Sequence, residues 1–148
     1  MTKLLFSYFL TLSLILIPTV EAHTCHTDEV SILKYDLCVL PQWIVGPYFN
    51  GRGERVSSEL QLTFRALHGE IENIDLAKSK LYPWMIMQGG HQHGARPVTL
   101  EINSPDQVIV TNILLSQMNG QWFFRLSLVP KIPWQPQSDF DAEFEITI

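Results

Sequence analysis

Cysteine is nearly absent from this chain: Cys25 and Cys38 are the only two. They are too far apart to form the C-x-x-C unit of a redox centre. Basic charge is also scarce, with 10 Lys+Arg against 15 Asp+Glu, and no basic run or basic helix occurs. That excludes nucleic acid as an expected partner. Beyond residue 18 there is no apolar run long enough to cross a membrane as a helix, which takes about 20 residues. Catalytic signatures are missing too. No serine sits in G-x-S-x-G, and Gly51-Arg52-Gly53 lacks the following helix and Lys-Ser/Thr of a phosphate loop. Internal repeats and low-complexity segments are absent. After the initiator only three methionines remain, Met85, Met87 and Met118.

The N-terminus carries a targeting signal. Lys3 precedes an apolar run over 4–18, and Val20-Glu21-Ala22 is a small-residue cleavage site. The pattern predicts a secretory signal peptide over 1–22, with an uncleaved anchor as the alternative. The remainder, 23–148, is one domain's worth of chain, able to bury a single core. Lys3 and Glu21 both lie in the leader, so the net charge of −5 is also that of the mature chain. The expected destination is the periplasm or the cell exterior. An exported, even pair of cysteines points to a Cys25–Cys38 disulfide, against the alternative of a metal or redox pair.

Most of the mature chain has the pattern of strands. Leu60, Leu62, Phe64 and Ala66 alternate on one face, as do Phe140, Ala142, Phe144, Ile146 and Ile148. The stretches 98–102, 108–115 and 122–129 are rich in β-branched, leucine and aromatic residues. Ile71, Ile74 and Leu76 suggest a less regular strand, and 39–45 another, interrupted by Pro41. The segment 28–36 could instead be a short helix, since Val30, Leu33 and Leu37 are three and four apart. Turn signals fall at Gly46-Pro47, Asn50-Gly51-Arg52-Gly53, His68-Gly69, Ser104-Pro105-Asp106 and Asn119-Gly120. Prolines 130, 133 and 136 make 129–137 an irregular connector. About seven short strands with turns every eight to twelve residues predict an all-β, antiparallel sandwich.

Two of the methionines and two histidines are concentrated in Trp84-Met85-Ile86-Met87-Gln88-Gly89-Gly90-His91-Gln92-His93-Gly94. Thioether suits copper(I) and imidazole suits copper(II). If the segment is extended, Met85 and Met87 share a face, and His91 and His93 point together beyond the glycines. Met118 lies just before a turn and completes the set if the two strand ends meet. Zinc fits less well, because the cysteines are expected to be oxidised. Packing is the competing account: methionine fills irregular gaps beside aromatics such as Trp84 and Trp122, and loop histidines are commonly solvated. Cleavage after Ala22 would expose His23, whose amine and imidazole together chelate copper(II), with His26 nearby; the alternative is that His23 comes first by accident. His68, in a turn, is expected to be solvated. Glu70, Glu72 and Asp75 form an acidic strand edge. Trp43, Trp84, Trp122 and Trp134 are expected in the core rather than as a sugar-stacking face.

Leu81-Tyr82-Pro83-Trp84-Met85 followed by His91-Gln92-His93-Gly94-Ala95-Arg96-Pro97-Val98 resembles the Trp-Met-Pro…Gly-His-Gly-Ser-x-Pro signature of the YtkA-like / FixH-like family. Downstream, Met118-Asn119-Gly120-Gln121-Trp122, after the apolar stretch 110–115, resembles that family's Met-x-Gly-x-Trp element. The similarity covers about 60–129. It implies a small exported immunoglobulin-like β-sandwich of the bacterial envelope, in a family some of whose members handle copper or assist copper oxidases. It carries over Met85, His93 and Gly94 from the first block, and Met118, Gly120 and Trp122 from the second. Ile86 stands where the family has proline, and the loop 88–92 is longer and has an extra histidine. The combined expectation is a non-enzymatic copper-binding or copper-delivery protein, with Met85, Met87, His91, His93 and Met118 as ligands and an envelope protein that gives or takes copper as its partner. The alternative is a metal-free interaction module of the same fold.

Overall fold

In the computed structural model, which describes residues 24–69, 71, 73–118, 120–131 and 140–146, the alternating segments become two antiparallel sheets. With strands numbered in chain order, the first sheet runs β1 (Val30–Ile32), β2 (Leu37–Val45), β4 (Ser58–Ala66), β8 (Gln107–Ile113), β7 (Thr99–Ser104). The second runs β11 (Ala142–Glu145), β10 (Gly120–Ser127), β5 (Lys80–Met87), β6 (Gln92–Gly94). A short parallel pair, β3 (Phe49–Asn50) with β9 (Leu115–Ser116), makes a separate clip. Residues 1–22, where a signal peptide was expected, His23, the proline connector beyond Lys131, Trp134, Glu70, Glu72 and Ile148 lie outside the described residues.

The inward faces of the two sheets form one core. Leu60, Leu62 and Phe64 of β4 and Val108 and Val110 of β8 meet Leu81 and Met85 of β5, Phe124 and Leu126 of β10, and Phe144 of β11. Rings bridge the layers: Trp43 of β2 lies 5.8 Å from Phe124, which lies 5.5 Å from Phe144. Burying one face of each sheet leaves the other wet, which is why the alternation was visible in the sequence. The all-β antiparallel expectation holds for the described residues. Their strands number eleven rather than about seven, because β1, β3, β6 and β9 are only two or three residues long.

Three segments differ from their sequence reading or resolve it. The stretch 28–36 is β1 followed by a single 3-10 turn, Leu33–Tyr35, ending in left-handed Asp36 (φ 51°). Leu33 is 79% exposed, so the helical stripe has no core to face, whereas pairing Val30 with Val39 buries Ile32. Ile71, Ile74 and Leu76 form no strand; Ile74 makes one isolated bridge to Pro130, and Ile74 and Leu76 plug the core from a loop. Their spacing does not alternate, and backbone bonds from Lys78 and Ser79 to the Asp75 carbonyl close a turn there instead. Pro41 does sit inside a strand. It pairs with Leu62 on β4, but β1 reaches only to Val39, so the missing N–H falls on an uncovered edge.

Cys25 and Cys38 form a disulfide with Cα atoms 5.5 Å apart. Glu29 lies beside it, but both thiols are consumed by the bridge, so Cys25, Glu29 and Cys38 do not make a metal site. Arg65 braces the region: Nε donates to Glu29 Oε1 at 3.0 Å, and Nη2 to Oε2 at 2.5 Å and to the Thr24 carbonyl at 3.2 Å.

Candidate metal site

The methionine–histidine block folds into the β5–β6 hairpin. Leu81, Pro83 and Met85 point inward and are buried, while Tyr82, Trp84 and Ile86 face outward. The strand then reverses through Gln88-Gly89-Gly90. Gly89 (φ 96°) and Gly90 (φ 84°) both occupy the left-handed region that glycine enters without a Cβ penalty. Gly90 N donates to the Met87 carbonyl at 3.0 Å and Met87 N to that of His91 at 2.8 Å, closing the turn.

This turn sets the register. Met85 stands opposite His93 on one side and opposite Trp122 on the other. Directly opposed residues share a face, so His93, Met85 and Trp122 form a row across three strands on the inward side. The outward side is fixed separately: Trp84 Nε1 donates to Gln92 Oε1 at 2.9 Å, and the Arg125 guanidinium lies 4.5 Å from the Trp84 ring. Gly120 allows β10 to close against the row. A Cβ there would come within 2.8 Å of the Ile86 carbonyl oxygen and 3.0 Å of Met85 Cγ.

At the end of this row lies a cavity of about 460 Å³. Met85, His93 and Met118 line it together, with Trp122, Ser116, Arg96 and the 50–55 loop. Met85 is its floor, 1% exposed; Met118 is its rim, 48% exposed. The β3–β9 clip brings the rim into place. Gln117 N donates to the Asn50 carbonyl at 2.8 Å, and Trp122 Nε1 donates to the Ser116 carbonyl at 3.2 Å. Asn50 Nδ2 donates to the carbonyls of Val56 (2.9 Å) and Leu115 (3.0 Å), and its Oδ1 accepts from Val56 N at 2.6 Å. Glu54, the one carboxylate on the wall, accepts from Gly51 N at 2.7 Å.

The structure therefore gathers three of the five expected ligands and leaves two apart. Met87, half-buried, lines a separate pocket with Ile86, Gln88, Gly120 and Gln121. His91 is exposed in the turn, contributes its carbonyl to the hairpin and does not line this cavity. His23 lies outside the described residues. Among the remaining candidates, His68 is exposed, and Asp75 pairs with Lys78 at 2.9 Å. The hydrogen bond to Lys78 holds the Asp75 carboxyl below its usual range. Trp43 packs on Phe124, Trp122 is buried, and Trp84 is covered by Arg125, so these three make no open stacking face.

Asn50, Glu54, Arg55 and Arg96 escaped the sequence reading as site residues. The only available signal was the turn chemistry of Asn50-Gly51-Arg52-Gly53, which announces a reversal and not what the reversal faces. Chemically, two thioethers and one imidazole lining one cavity offer soft donors that suit copper(I) better than zinc or a hard cation. Comparisons with protein-family models, with curated proteins and with solved structures found no match. The likeness to the YtkA-like / FixH-like family therefore stands on the two sequence blocks alone.

Proposed function

We propose that this chain is an exported, non-enzymatic copper-binding or copper-delivery protein of the cell envelope, built on an immunoglobulin-like sandwich, with Met85, His93 and Met118 as its ligands. The observation that carries this reading is that residues from two separate strand connections line one cavity. A buried thioether on the floor gives a fixed contact, while an exposed thioether and imidazole on the rim can let go first. That asymmetry suits transfer to a partner by ligand exchange. Met87 and His91 leave the ligand set, because neither lines this cavity.

The test is copper(I) competition against a chromophoric chelator under anaerobic conditions. His93→Ala and Met118→Ala are expected to weaken binding about tenfold or more each, which is about 1.4 kcal/mol per variant. Met87→Ala and His91→Ala should stay close to wild type. Curves for His93→Ala and Met118→Ala that overlie the wild type would reject the copper reading and leave a metal-free interaction module.

A further inference from the structure

The cavity holds more than three soft donors need. At about 460 Å³ it falls within the range of small-molecule pockets, roughly 300–1,000 Å³, whereas a lone ion fills only a small corner of such a volume. Its wall also carries two guanidiniums, Arg55 and Arg96, and neither has an ion pair among the described residues. The single carboxylate there, Glu54, is held by the Gly51 amide rather than by either arginine. In a chain of net charge −5, the lining of this cavity carries two arginines against one carboxylate. Two unpaired guanidiniums repel a bare cation and attract a carboxylate, which the planar fork of arginine binds through two parallel hydrogen bonds.

We propose that the cavity takes a small organic carboxylate, held by Arg55 and Arg96 beside the methionine–histidine row. The anion site itself stands on the arginines and the volume. That the anion arrives as a co-ligand of copper rests on the function proposed above. On that reading the protein receives its metal as an anionic complex, with the carboxylate on the arginines and the metal on His93 and the thioethers. The 50–55 loop then has a function of its own: it brings a cation across to face the hairpin, and Asn50 fixes where that loop starts.

The experiment is calorimetric titration of the mature protein with succinate at low ionic strength, without metal. Saturable binding is expected in wild type, weakened at least about tenfold in Arg55→Gln/Arg96→Gln. Both arginines are exposed, so the variant should keep the wild-type circular dichroism and melting curve. Arg55→Lys/Arg96→Lys, which keeps the charges but not the forks, should fall between them. Succinate binding is read without metal, so failure of the metal reading leaves this result standing. Absence of succinate binding in wild type, or equal binding by the glutamine variant, would overturn the proposal. If both ligands bind, succinate should tighten copper(I) by the same factor by which copper(I) tightens succinate.

Discussion

Asn50 shows how a residue without ligand chemistry can decide the geometry of a site. It uses both amide protons and its carbonyl oxygen, tying the start of the 50–55 loop to Val56 and to Leu115 of β9. The Leu115 bond is fully buried, so truncation leaves a carbonyl that water does not reach. Asn50→Ala should therefore cost about 2–3 kcal/mol, at the upper end for a lost polar partner. Urea unfolding should show a lower midpoint with an unchanged slope. Asn50→Asp keeps the acceptor for Val56 N but loses both donations, so it should be nearly as destabilising at neutral pH. A change under about 0.5 kcal/mol for the alanine variant would mean that the loop is held by something else.

At the level of elements, the β5–β6 hairpin converts spacing into chemistry. His93 faces the cavity only because the turn places it opposite Met85; a slip of one residue would turn it to the outer face. Deleting Gly90 alone should thus reduce copper(I) affinity as far as His93→Ala does, about tenfold or more. It should also break the Trp84–Gln92 hydrogen bond, which indole fluorescence and the side-chain NMR signal of Trp84 report. Unchanged copper binding in the deletion would show that the register does not position the ligand. The same logic explains what the sequence disclosed. Strands β4 and β11 were legible because one face is buried and the other wet, as in Leu60, Leu62 and Phe64 or Ala142 and Phe144. The 71–76 stretch misled, because Ile74 and Leu76 are buried from a loop, and burial without alternation leaves no period. Met85, His93 and Met118 were legible as chemistry, since few other residues offer soft donors. That Met87 and His91 do not line the cavity was not legible, because local spacing does not say where a cavity ends. Arg55 and Arg96 were hidden for a different reason: two loops distant in the chain line one cavity, and that leaves no pattern in local sequence.

Across the whole molecule the disulfide and the cavity occupy opposite ends of β4. Ser58 begins that strand next to the cavity loop, and Arg65, near its other end, braces the Cys25–Cys38 bridge. Seven residues of extended chain separate them by about 23 Å. Removing the bridge should therefore act on stability and not on the site. Cys25→Ser/Cys38→Ser is expected to unfold about 2–4 kcal/mol more easily, with copper(I) competition unchanged. A parallel loss of copper affinity would show that the two ends are coupled. The acid response belongs to the disulfide end as well. The Arg65 hydrogen bond holds the Glu29 carboxyl below its usual range, and that side chain is only 8% exposed. A carboxyl that is harder to protonate when folded than when unfolded adds stability above its unfolded value, near 4.3, and loses it as the pH falls toward the folded value. The unfolded chain takes up the proton first, so acid pulls toward unfolding. Glu29→Gln should accordingly be less stable than wild type at pH 7, and the gap should narrow steadily below about pH 4. Denaturant midpoints of both proteins across pH 2.5–7 measure this directly. A gap that stayed constant over that range would mean that Glu29 contributes packing rather than charge, and that the acid sensitivity of the fold arises elsewhere.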